Sequence, residues 1–114
     1  MKPKNGSLPD HYQTMSLRLP RPIHERMKAL ASRRGSRAAE TYIDTVEAFI
    51  RDHLSDDQHI FAVENDAVHI TISTPGAFVR AVREAANVRR VSPNELIYTA
   101  VLRELDATAA QGVG

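Results

Sequence analysis

A mainly α-helical domain with one short antiparallel β-ribbon, built as a duplicated strand–helix–helix pseudo-dimer in one chain, is the fold class this sequence predicts. Three observations predict it. Two segments of strict apolar–polar alternation lie 55 residues apart, around Met15–Pro20 and Ile70–Pro75. Each is followed by two stretches of helical periodicity, and laying the first copy over the second needs no gap for the next 30 positions. A unit of about 40 residues is too small to bury a core alone, so the two copies are expected to cover each other. The predicted layout is an arm over 1–13, repeats over 14–54 and 68–106, a linker over 55–67 and a tail over 107–114, with 14–106 forming a single domain.

The first strand sets Met15, Leu17 and Leu19 against Thr14, Ser16 and Arg18. The second sets Val68, Ile70 and Ile72 against His69, Thr71 and Ser73. Period two with one apolar face describes a half-buried strand. Neither strand can satisfy its backbone alone, so the two should pair antiparallel, over residues near 14–19 and 69–74. Pro20 and Pro22 should stop the first strand, and Pro75-Gly76 the second.

The first helix of each copy follows, with Ile23, Met27, Leu30 and Ala31 at helical spacing in one and Phe78, Val82, Ala85 and Ala86 in the other. Gly35 should close the earlier of the two in the left-handed conformation that glycine tolerates. The second helix of the later copy opens on Ser92-Pro93-Asn94-Glu95, a capping box with proline at the first helical position. In the earlier copy Gly35-Ser36-Arg37 does this less fully, with Ser36 as the expected cap. The stripes Tyr42, Val46, Phe49, Ile50 and Ile97, Val101, Leu105 read as core. Between the copies Ile60, Phe61 and Val63 should pack on the body or add a short strand. The tail after Asp106 should fray.

Charge narrows the function. The net value is +1, but residues 1–37 hold nine Lys or Arg against two acids, and residues 38–67 hold one Arg against eight acids. That segregation predicts one basic and one acidic face. There is no cysteine, which excludes disulfides and thiolate metal sites and fits a cytoplasmic home. No apolar run reaches the roughly 18 residues of a membrane span. Phosphate loops, nucleophile elbows and HExxH are missing, so an enzyme is not expected, nor a cofactor or small-molecule substrate. His53, Asp56, Asp57 and His59 could be drawn as a metal site. Their placement across a helix end and an acidic linker reads instead as a solvated turn, and no metal is expected.

The segment Val91-Ser92-Pro93-Asn94-Glu95-Leu96-Ile97-Tyr98-Thr99-Ala100-Val101 resembles the second-helix signature of the ribbon-helix-helix family of DNA-binding proteins. Gly35-Ser36-Arg37-Ala38-Ala39-Glu40-Thr41-Tyr42-Ile43 is a looser version. Carrying both units in one chain is similar to the tandem accessory proteins of conjugative and tumour-inducing plasmids. The resemblance implies double-stranded DNA as partner, with the ribbon in the major groove, where every base pair presents a distinct pattern. Base reading would then fall to Ser16, Arg18, His69, Thr71 and Ser73, led by Arg18, whose fork can grip guanine O6 and N7 together. Phosphates would be held at the second-helix N-termini by Ser36, Arg37, Ser92 and Asn94, with Arg33, Arg34, Arg89 and Arg90, and also Lys2 and Lys4, adding attraction. The tandem form further implies a place beside a relaxase or another DNA-processing protein, in plasmid T-DNA processing and transfer. Repression or antitoxin activity through a protein partner is the alternative.

Overall fold

The computed structural model describes residues 11–55, 60–63 and 66–112. In chain order these form β1 (Tyr12–Pro20), α1 (Arg21–Arg34), α2 (Ala38–His53), β2 (Ala67–Pro75), α3 (Gly76–Arg89) and α4 (Pro93–Gly112). The two strands pair antiparallel in a two-stranded sheet, with Ser16 opposite Thr71, Leu17 opposite Ile70 and Arg18 opposite His69. Both run further than the sequence predicts, because each proline closes its strand from inside. Pro20 and Pro75, extended at ψ 140° and 146°, also serve as the N-caps of α1 and α3. Gly76 N–H donates to His11 O at 2.9 Å and carries the pairing one step past the strands.

One core lies beneath the ribbon. Leu17, Leu19, Ile70 and Ile72 point down from the sheet onto Met27, Leu30, Tyr42, Val46 and Phe49 from the first helix pair and Phe78, Val82, Leu96, Ile97 and Val101 from the second. Burying each such side chain stabilises the fold by about 1.5–3 kcal/mol. Tyr42 is fully buried and its hydroxyl lies 2.8 Å from His24 Nδ1. The rings stack with centroids 5.9 Å apart. Burial pushes the Tyr42 phenol up, and burial together with the nearby Lys28 charge holds His24 below its usual value.

The expected duplicated strand–helix–helix pseudo-dimer is corrected by the element order β-α-α-β-α-α around one sheet and four helices of 14, 16, 14 and 20 residues. Neither half owns a sheet or a core, since among the described residues each strand takes its ladder partner from the other half. Nor do the halves match in detail. α2 has 16 residues and α4 has 20. α1 ends on Gly35 at φ 69°, whereas α3 ends on Arg90, forced to φ 58°. Both ends close alike, with Ser36 N–H on Ala31 O and Val91 N–H on Ala86 O. Ile60 packs on the core, and Phe61 N–H donates to Thr99 Oγ1 of α4 at 2.8 Å, so this segment docks on α4 without forming a strand. The predicted frayed tail is helical as far as Gly112. Lys2, Lys4, Asp56, Asp57 and His59, with the roles expected of them, lie outside the described residues.

Candidate nucleic-acid interface

Strand alternation puts Thr14, Ser16 and Arg18 of β1 and His69, Thr71 and Ser73 of β2 on the ribbon's outer face, all exposed. The register sets them in three facing pairs: Thr14 with Ser73, Ser16 with Thr71, and Arg18 with His69. Five of these six are the residues expected to read bases; Thr14 joins them, on the same period as Ser16 and Arg18. The same period reaches Tyr12, which is 66% exposed. The face therefore offers hydroxyls at its centre, a guanidinium and an imidazole at one end, and a phenol at the other.

Each end of the ribbon meets a helix N-terminus. At the Arg18–His69 end, a groove of about 490 Å³ is lined by Ser16, Arg18, His69, Ala62, Val63 and the first turn of α4. There Ser92 and Glu95 form a closed reciprocal cap. Glu95 Oε1 accepts Ser92 N–H at 3.0 Å, and Glu95 N–H donates to Ser92 Oγ at 3.2 Å. Asn94 is turned to the strand. Its Oδ1 accepts Arg18 N–H at 2.7 Å and its Nδ2 donates to Arg18 O at 2.9 Å. The amide predicted to hold phosphate is thus engaged with the ribbon, which leaves only the backbone N–H of Asn94 to face an anion.

At the Tyr12–Pro75 end, a groove of about 430 Å³ is lined by Tyr12, Pro75 and Ser36, Glu40, Ile43, Asp44 and Glu47. The N-cap of α2 is Arg37, not Ser36. Ser36 Oγ instead meets Thr41 Oγ1 at 3.0 Å, and Glu40 Oε1 accepts Arg37 N–H at 3.0 Å. Arg37 projects into solvent, its guanidinium 3.7 Å from Glu40, too loose and too exposed an ion pair to hold it. The backbone N–H groups of Ala38 and Ala39 open this helix without a side-chain acceptor. This end combines an open helix terminus with a wall of carboxylates.

The remaining cations divide. Arg34 pairs with Glu104 at 2.5 Å, and Arg89 donates to Leu54 O at 2.9 Å, closing the end of α2. Both are built into the body, a use invisible in sequence because each partner is distant in the chain. Arg18, Arg33 and Arg90 are exposed and have no carboxylate within ion-pair distance among the described residues. His53 lies 3.3 Å from Arg103, and no group of metal-ligating side chains assembles among the described residues. No described helix is long and apolar enough to cross a membrane. No protein-family model, curated protein or solved structure matches the chain.

Proposed function

We propose that this chain binds double-stranded DNA, laying the outer face of the ribbon in the major groove with the α2 and α4 N-termini toward the flanking backbones. The observation that carries this reading is the ribbon itself. Six exposed polar side chains stand in register on one face, while the opposite face is core. A two-stranded ribbon is one of the few elements narrow enough for the major groove, and hydroxyl, imidazole and guanidinium groups match its donors and acceptors. The α2 terminus offers free N–H groups and Arg37 to a phosphate. The sequence resemblance to plasmid tandem accessory proteins makes processing and transfer of plasmid DNA in the cytoplasm the fitting process, beside a relaxase or similar enzyme. The test is an electrophoretic shift with mixed-sequence duplex at rising salt. Binding that weakens as salt rises supports the reading; no shift at low salt refutes it.

A second reading rests on Glu40, Asp44 and Glu47, exposed along one face of α2. They would repel phosphate beyond the first turn, and they favour a basic protein partner on that side. Pull-down of a purified relaxase with and without charge reversal at Asp44 and Glu47 separates this contact from DNA-bridged association.

A further inference from the structure

A two-stranded ribbon leaves the outer edge of each strand without a ladder partner, which makes its backbone mobile. β1 escapes this at one point. The side-chain amide of Asn94 offers an acceptor and a donor side by side, as a peptide group does, and engages both backbone groups of Arg18. It stands in for a third strand across one residue. Asn94 sits in the first turn of α4, whose base is fixed by the Ser92–Glu95 cap and by Leu96, fully buried. Arg18 Cα is therefore tied through two hydrogen bonds to a rigid helix end, and its guanidinium is left free. On the other strand, Ser73 is exposed, and no described side chain engages its backbone.

We infer that Asn94 is a positioning residue for base reading, one that immobilises the Arg18–His69 half of the ribbon and makes it the half that discriminates sequence. This rests on the DNA-reading proposal above. A long side chain discriminates bases only when its root is fixed, because a bidentate pair tolerates little displacement. Losing the clasp spares charge attraction, so non-specific affinity stays while selectivity goes.

The experiment uses the full chain with Asn94→Ala and Asn94→Ser. Serine suits a first helical turn and is too short to reach both groups of Arg18. Two measurements are made. Amide hydrogen exchange in the free protein reads the clasp, and selection from a randomised duplex pool reads discrimination. Both variants are expected to speed exchange at Arg18 about tenfold, the scale of one or two net hydrogen bonds. They should flatten base preference in one half of the selected site and leave affinity for mixed-sequence duplex within about twofold of the parent. Unchanged exchange at Arg18 overturns the clasp. Faster exchange with unchanged base preference overturns the positioning role and leaves DNA binding standing. A parent protein that binds the pool but selects no sequence overturns this inference and leaves DNA binding standing; one that binds no duplex removes the DNA-binding proposal and this inference together, whatever the exchange shows.

Discussion

At Arg18 the backbone is fixed at both bonding groups while the guanidinium is exposed and unpaired among the described residues. Arg18→Ala is expected to cost about 1–3 kcal/mol on a selected site and clearly less on mixed duplex, read by parallel binding titrations. Arg18→Lys should restore affinity more than selectivity, because ammonium keeps the charge without the fork. His24 offers a different test. Its folded-state pKa is lowered, chiefly by burial, so the unfolded chain binds the proton more readily. Stability is therefore full above about pH 6.5, the ordinary value, and falls as pH drops below it toward the lowered folded-state value. Denaturant midpoints across pH 5–8 should show this slope, and His24→Gln should flatten it.

Among the elements, helix ends separate what sequence could and could not reveal. Ser92 and Glu95 announce a cap by their spacing, and the side chains close it. Ser36 has the same chemistry one position too early. α2 starts at Ala38, so Ser36 bonds Thr41 Oγ1 and the capping position falls to Arg37. Ser92→Ala should accordingly lose about 1 kcal/mol of unfolding free energy, and Ser36→Ala distinctly less. Arg90 was legible as a charge but not as a backbone position. Only the fold shows that α3 ends there in the left-handed region. Arg90→Gly should gain roughly 1 kcal/mol by relieving that strain, seen as a raised thermal midpoint. Strand alternation and the stripes of Met27, Val46, Val82 and Val101 were readable because burial imposes them directly. The partners of Arg34, Arg89 and Asn94 were not, since long-range pairing leaves no local period.

For the whole molecule, charge and shape have to be weighed together. A net charge of +1 gives little general attraction to DNA, and two of the arginines counted toward it from sequence are consumed internally. On the DNA-binding proposal, affinity must then come from few phosphate contacts. The salt dependence should be correspondingly shallow, and Arg37→Ala should reduce the slope of log K against log salt by about 0.9. An unchanged slope would place Arg37 away from the backbone. The sequence revealed the elements and the outer face of the ribbon. It did not reveal that the second helix pair, with its longer α4 and the docked Ile60–Val63 segment, departs from the first. Repeat logic predicts equivalent halves, and the shared core does not require them to match.

The unlike strands of the ribbon give the molecule a heading. A reader assembled from two identical strands can be turned end for end on its site with no change in energy. Here Arg18 and His69 mark one end of the ribbon and Tyr12 and Pro75 the other, with a closed helix cap beside the first and carboxylates beside the second. If the ribbon seats on a duplex as proposed, such a face would distinguish upstream from downstream. Because one chain closes the ribbon, forming it needs no dimerisation step. A protein docked on the acidic side of α2 would then always be delivered to the same side of the site.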